Sequence, residues 1–163
     1  MAAGQEDAAS ATDRTVAWSL VAIQFVLLGL IVLLPTGHSW RLAPVLVRTL
    51  DILVIAGIAL MAVAATGLGR GLTAAPLPNQ HARLRTIGAY RYVRHPIYSG
   101  LMVLAVARAV ATGNPWVAVA CALLILLLNV KARWEEQHLV RRFPGYVEYT
   151  RNTNRFIPRL LRR

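Results

Sequence analysis

The 163-residue sequence holds a single cysteine, Cys121. That excludes an intrachain disulfide and any zinc cluster built on cysteines. Acids are also scarce: seven Asp and Glu stand against 18 Lys and Arg, for a formal net charge of +11. The amino end does not read as a cleaved signal. Its first 14 residues are small, polar and mildly acidic, and no small-residue cleavage site follows the first apolar run. No internal repeat or low-complexity tract is evident. What the chain has in excess is apolar sequence, 56% of residues, with a mean hydropathy of +0.50. A soluble domain of this size does not carry its apolar residues in such blocks. A nucleic-acid binder of this basicity would not segregate charge from apolar runs so sharply, so nucleic acid is not an expected partner.

The pattern predicts an all-α integral membrane protein: a polar tail over 1–15, then one membrane domain over 16–163. Its helices are expected at about 16–34, 45–65, 97–111 and 115–142. The first span is ended by Pro35-Thr36-Gly37 and, at ~1.5 Å per residue, covers roughly 28 Å, close to a bilayer core. The second contains Arg48 and Asp51, three residues apart on one helix face, which reads as a membrane-embedded ion pair facing the bundle. The third and fourth are joined by only Thr112-Gly113-Asn114, so a tight antiparallel hairpin is expected. Asn114-Pro115 supplies an N-cap followed by proline at the first helical position. The fourth helix should continue beyond the membrane until Phe143-Pro144-Gly145 stops it.

Basic residues set the expected orientation. Arg70, Arg83, Arg85, Arg91 and Arg94 lie between segments two and three. Lys131, Arg133, Arg141, Arg142, Arg151, Arg155, Arg159, Arg162 and Arg163 follow the apolar run of segment four. With four spans these share one side, and the positive-inside rule makes it cytoplasmic, with both termini there. Trp40 and Trp116 are expected at the outer interface and Trp134 at the inner one. Arg108 is expected to reach the outer surface.

Two stretches could carry chemistry. "RYVRHPIYSG" (91–100) begins the third helix. Read blandly it is an interfacial anchor, with arginine snorkelling, tyrosine in the aromatic belt and Pro96 starting the helix. "KARWEEQHL" (131–139) follows the fourth span on the same side. Read blandly, Glu135 and Glu136 compensate neighbouring arginines. Glu135 and His138 have Glu-x-x-His spacing, but a di-iron bundle needs a second such motif and two further glutamates, so no metal is expected. "GLGRG" (67–71) lacks the preceding strand of a dinucleotide loop and reads as a helix exit. Together the two stretches bring a guanidinium, an imidazole, phenols and paired carboxylates to one mouth of an apolar bundle. That suits a ligand bearing both a carboxylate and an ammonium, meeting a lipophilic partner from the membrane.

"LRTIGAYRYVRHPIYSG" (84–100), "NP" (114–115) and "EEQHLVRRFPGYVEYTRNTNRFIPRL" (135–160), with the lead-in "LTAAPLPNQHARL" (72–84), resemble the isoprenylcysteine carboxyl methyltransferases and related phospholipid methyltransferases, in their bacterial branch. The resemblance covers roughly 68–160. It implies an enzyme of a bacterial plasma membrane that uses S-adenosylmethionine without a Rossmann fold, in a pocket formed by the last hairpin and the C-terminal region. It also implies a lipophilic or lipid substrate among membrane lipids. Its cofactor string falls on Tyr90, Arg94, His95, Pro96, Tyr98 and Gly100. A backbone-contact segment falls on Arg83, Leu84 and Arg85, and the acid that meets the cofactor amino group on Glu135, with Glu136 beside it. The substrate-facing arginine of the family, four residues before that acid, is Lys131 here, which lacks the planar fork that grips a carboxylate. Arg133 is the alternative.

Methyl transfer from a sulfonium is an in-line displacement in which the protein mainly orients and desolvates. A carboxylate acceptor, the favoured class, needs no base. A phospholipid or other amine does, and His95 and Glu136 are the candidates. Two rival readings are a sterol-reductase-like NADPH enzyme and a non-enzymatic adaptor holding anionic lipid on its basic face. The sequence carries no sign of an oligomeric state.

Overall fold

The first helix begins earlier than its apolar pattern indicates. In the computed structural model, which describes residues 10–37 and 39–159, α1 spans Ala11–Leu33. Ser10 Oγ accepts from the Asp13 amide at 3.0 Å, and an Asp13 carboxylate oxygen accepts from the Ser10 amide at 3.3 Å. This reciprocal capping box starts the helix inside the stretch read as a polar tail. The rest of that tail, residues 1–9, lies outside the described residues.

α2 spans Pro44–Leu68, with proline in its first turn, and stops at Gly69, whose φ of 51° only glycine adopts without strain. The "GLGRG" stretch is thus a helix exit. α3 (Pro96–Thr112) and α4 (Pro115–Arg142) form the expected hairpin. Gly113 turns the chain in the left-handed region, and Asn114 Oδ1 accepts from the Trp116 amide at 2.9 Å. At ~1.5 Å per residue α3 is about 26 Å long and α4 about 42 Å. The last turns of α4 therefore extend past a bilayer core, and α5 (Tyr146–Asn152) follows.

The described chain is all-α, with three helices long and apolar enough to cross a membrane and α3 as a shorter apolar fourth. Small residues let the helices approach. A Cβ built on Gly100 of α3 would come within 2.7 Å of the Gly57 carbonyl oxygen of α2 and within 2.5 Å of Met61. Such close backbone contact is how helices associate where lipid removes the hydrophobic drive. The main apolar cluster joins Leu27 and Ile31 of α1, Ala105 and Ala109 of α3, and Val117, Leu124 and Leu128 of α4. Asp13 of α1 lies 4.0 Å from His138 of α4, so the start of α1 and the end of α4 share one end of the bundle.

One sequence expectation is corrected, and Arg108, Trp134 and Trp40 gain specific partners. Arg48 and Asp51 are both exposed on α2, and no ion pair joins them among the described residues. α2 turns Gly57 to α3, and Arg48 and Asp51 lie off that face of the helix. The Arg108 guanidinium donates to the carbonyls of Ile31, Val32 and Leu34 at 3.3–3.4 Å. It caps the unsatisfied carbonyl end of α1, where a cation also meets the helix dipole. Trp134 packs inward against Ala17, Val21 and Ala75, 4.2 Å from the His138 ring. Trp116 is exposed, while Trp40 donates its indole N–H to the Val110 carbonyl at 2.8 Å.

Candidate active site

α4 presents two faces at its basic end. Lys131, Glu135 and Leu139 recur every four residues and line one wall of a cavity of about 370 Å³. Glu136, about 100° further round the helix, looks instead toward the C-terminal segment. The other walls come from α3 (His95 to Tyr98 and Leu101), the 72–85 stretch with Arg83, Leu84 and Arg85, Tyr90, and Gln24 of α1. Apolar side chains of Leu68, Leu72, Leu77 and Leu101 fill out the lining.

Inside the cavity, one Glu135 oxygen accepts from the Tyr98 hydroxyl at 2.8 Å. The same oxygen is 3.8 Å from His95 Nδ1, too far for a hydrogen bond. Among the described residues no donor reaches the second Glu135 oxygen. The His95 and Tyr98 rings stack with centroids 5.3 Å apart. Lys131, the only lysine of the sequence, is 1% exposed. Its ammonium donates to Gln24 Oε1 at 2.7 Å and to the Ala74 carbonyl at 2.9 Å, and lies 5.5 Å from the Tyr98 ring centroid. No carboxylate pairs with it among the described residues. Tyr90 donates to the Ala64 carbonyl at 3.3 Å. Burial, and then the charge of Glu135, hold its phenol well above the ordinary range, so it serves as a neutral donor and an aromatic wall, not as a base.

Glu136 is the hub of a separate clasp. Arg94 Nε donates to it at 2.9 Å, His95 Nε2 at 3.1 Å, and Arg155 at 3.1 and 2.6 Å. Arg94 also donates to the carbonyls of Thr150 and Thr153. The segment after α5 runs alongside the approach to α3. Val93 bridges Asn154 in parallel, His95 N–H donates to the Arg155 carbonyl at 3.0 Å, and Ser99 Oγ to that of Phe156 at 2.8 Å. Tyr149, its hydroxyl donating to the Tyr90 carbonyl, is pushed up to about 12, above all by burial. The clasp thereby fixes His95, the first residue of the cavity wall on α3.

Residues 47–145 match the phospholipid methyltransferase family. The chain belongs to that family. It is also similar to protein-S-isoprenylcysteine O-methyltransferase B of Arabidopsis thaliana, 33% identical over 81 residues that make up 48% of this chain and 41% of that protein. A probable protein-S-isoprenylcysteine O-methyltransferase of Oryza sativa subsp. indica is 37% identical over 82 residues, 49% of this chain and 42% of that protein. The matched stretch therefore spans less than half the length of these curated relatives. The match to the phospholipid methyltransferase family takes in most of α2, all of α3 and α4 and the cavity walls between them. It leaves out Gln24 and the C-terminal side of the clasp, from Thr150 onward.

Within this family member the cavity gathers Arg83, Leu84, Arg85, Tyr90, Arg94, His95, Pro96, Tyr98, Lys131 and Glu135. Three expected site residues are not in its lining. Gly100 is buried against Gly57 and Met61 and serves helix packing. Arg133 is exposed, two residues round from Lys131 on the far side of α4. Glu136 is saturated by the clasp, which leaves it no free oxygen for a base or for a ligand. Arg94 borders the cavity, but its guanidinium is spent on Glu136 and backbone carbonyls. Gln24 and the Ala74 carbonyl, partners of Lys131, were not expected. A lone glutamine inside the first apolar run was the available signal for the first. Nothing in sequence marks a backbone carbonyl.

Proposed function

We propose that the protein transfers a methyl group from S-adenosylmethionine to a lipophilic acceptor dissolved in the membrane, with a carboxylate oxygen as the acceptor atom. The observation that carries this reading is a carboxylate and an ammonium, Glu135 and Lys131, one helical turn apart on a single cavity wall, with Lys131 next to the apolar part of α4.

The cavity residues fit the cofactor. Glu135 keeps one oxygen free for an ammonium, a charge-assisted bond. Arg83, Arg85 and the backbone around Leu84 suit its carboxylate. The rings of Tyr90 and Tyr98 suit adenine or a sulfonium, which aromatic faces attract. When bound, S-adenosylmethionine supplies an electrophilic methyl group. The chain's own residues then have three tasks. Glu135, pinned by Tyr98, fixes one end of the site. Lys131, held by Gln24 and Ala74, has three N–H donors, of which two are engaged. The third is free to orient an anionic acceptor by a single point, where an arginine would grip with two. The leucines exclude water, which strengthens both charge contacts.

The carboxylate is favoured over an amine for a second reason. An ionised carboxylate needs no general base, and both candidate bases are engaged: Glu136 wholly, and His95 through the ring nitrogen that Glu136 holds. The buried Lys131 charge would also repel an ammonium. The basic residues around this end of the bundle support an orientation with it, and both chain ends, on the cytoplasmic side of a bacterial plasma membrane.

Isothermal titration of the detergent-purified chain with S-adenosylmethionine and with NADPH tests the reading. Saturable binding of the first alone is expected. Binding of NADPH alone points to a reductase, and binding of neither overturns the enzyme reading. Methylation assays with a prenylated cysteine analogue and with phosphatidylethanolamine then separate carboxylate from amine. Turnover of the amine alone overturns the role given to Lys131.

A further inference from the structure

A second hollow, of about 190 Å³, opens at the same end of the bundle and shares no residue with the cavity above. It is lined by Arg91, Tyr92, Asn152 and Arg159. Its construction follows from the pairing that closes the clasp. Val93 bridges Asn154, which draws the turn ending at Arg91 and the end of α5 at Asn152 together as walls of the hollow. Arg159 folds back from the end of the same segment and donates to the Arg151 carbonyl at 3.0 Å. The hollow thus gathers two guanidinium groups, a phenol and a carboxamide.

The charges here are handled unlike those next door. Arg94 and Arg155, also on the paired segments, are neutralised by Glu136. Among the described residues no carboxylate pairs with Arg91, Arg151 or Arg159. Two guanidinium groups that line one hollow without a counter-ion give it a positive potential, which a bound anion would offset. Planar guanidinium donors, with a hydroxyl and an amide alongside, match the several acceptor oxygens of a phosphate. The hollow is smaller than the ~300–1,000 Å³ typical of sites for drug-sized ligands, which suits an ion or a headgroup.

Apolar neighbours decide the source of that phosphate. Tyr92 is 62% exposed and Ile157, two residues before Arg159, is 72% exposed. Ile87, just before the turn that carries Arg91, is 68% exposed. One exposed aromatic in the lining and two exposed isoleucines close to it in sequence, a few residues before α3 begins, suit the boundary between headgroups and acyl chains. We infer that Arg91, Tyr92, Asn152 and Arg159 form a binding site for the phosphate of an anionic membrane lipid, separate from the methyl-transfer cavity. Filling it would brace the clasp from its outer side and set the depth of the cavity mouth in the membrane.

Native mass spectrometry of the full-length, detergent-purified chain tests this, titrated in parallel with phosphatidylglycerol, phosphatidylcholine and inorganic phosphate. One phosphatidylglycerol is expected to bind in preference to phosphatidylcholine, whose ammonium opposes the arginines. The double variant Arg91→Gln/Arg159→Gln should weaken that binding by at least about tenfold, since it removes the charge-assisted hydrogen bonds both guanidinium groups would donate to the phosphate. Arg70→Gln/Arg141→Gln removes the same charge from exposed positions at the same end of the bundle and should leave the one-lipid complex within about twofold. Equal losses in the two double variants would mean diffuse attraction and would overturn the site. Inorganic phosphate binding as tightly as the lipid would keep a phosphate site and overturn the lipid as its source. Circular dichroism melting of each variant guards against a folding defect. Unchanged lipid binding by folded Arg91→Gln/Arg159→Gln protein overturns the proposal outright.

Discussion

Glu135 and Glu136 are adjacent in sequence and about 100° apart around α4, and they belong to different regions of the molecule. Glu135 faces a cavity, is 26% exposed, and has one oxygen without a partner. Glu136 faces the C-terminal segment, is 12% exposed, and takes donors from Arg94, His95 and Arg155. A carboxylate whose oxygens are all satisfied holds structure. One left half-satisfied beside an open cavity is available to a ligand. One pair of identical residues is thereby divided between stability and binding, and His95 is the point where the two regions touch.

The largest expected effect comes from the clasp. Glu136→Ala leaves the cations of Arg94 and Arg155 part-buried without their partner. Removing one member of a buried ion pair costs about 3–5 kcal/mol, which should appear as a melting temperature lower by on the order of 10 °C. A melting curve that superimposes on wild type would reduce Glu136 to a surface charge and erase the contrast with its neighbour.

Glu135→Gln should do the reverse. Its melting temperature should stay close to wild type, while the S-adenosylmethionine dissociation constant rises about 10- to 100-fold, the value of roughly 1.5–3 kcal/mol for a hydrogen bond to a charged group. Calorimetric titration reads this directly. Unaltered affinity would remove the functional half of the contrast.

His95→Ala sharpens the boundary, because His95 lines the cavity and also donates to Glu136. Both readouts should move, each by about 1–2 kcal/mol. A change confined to stability would assign His95 to the clasp alone. Tyr98→Phe removes only the hydroxyl that pins Glu135. A several-fold loss of cofactor affinity is expected, worth about 0.5–1.5 kcal/mol, because the carboxylate, partly exposed, can turn to water. Its thermal stability should hold.

The smallest effect is reserved for geometry. Arg155→Lys keeps the charge next to Glu136 and loses the fork that donates twice to it. Destabilisation of about 1 kcal/mol or less is expected in a denaturant or thermal series alongside Glu136→Ala. A loss as large as that of Glu136→Ala would show that hydrogen-bond direction, rather than charge, holds the clasp.

Much of the architecture was legible because its signals are local. Asn114-Pro115 starts α4 and Phe143-Pro144-Gly145 ends it by backbone chemistry that needs no partner. Thr112-Gly113-Asn114 is too short for anything but a tight hairpin. The start of α1 was misread by a few residues because polar Ser10 and Asp13 look like a tail until their reciprocal hydrogen bonds are seen. The cavity residues from Arg83 to Tyr98, with Lys131 and Glu135, were legible through motif resemblance. Gly100 was swept along with that motif although its neighbour is a second glycine, Gly57, 43 positions earlier in the chain. Gln24 was missed because its partner is Lys131, 107 residues away.

The sequence by itself determined an all-α chain of apolar helices with its charge gathered at one end, since period, capping and hydropathy act within a few residues. Tertiary structure alone decided that Glu136, read as a cofactor neighbour or base, is bound in the clasp. It also turned Arg48 and Asp51 outward and gave Arg108 the carbonyl end of α1. The physical reason is rotational. Helix geometry fixes the angle between neighbouring side chains, but the direction the whole helix faces is set by packing partners far away in sequence, here the glycine contact of α2 with α3 and the return of residues 153–156 to the start of α3.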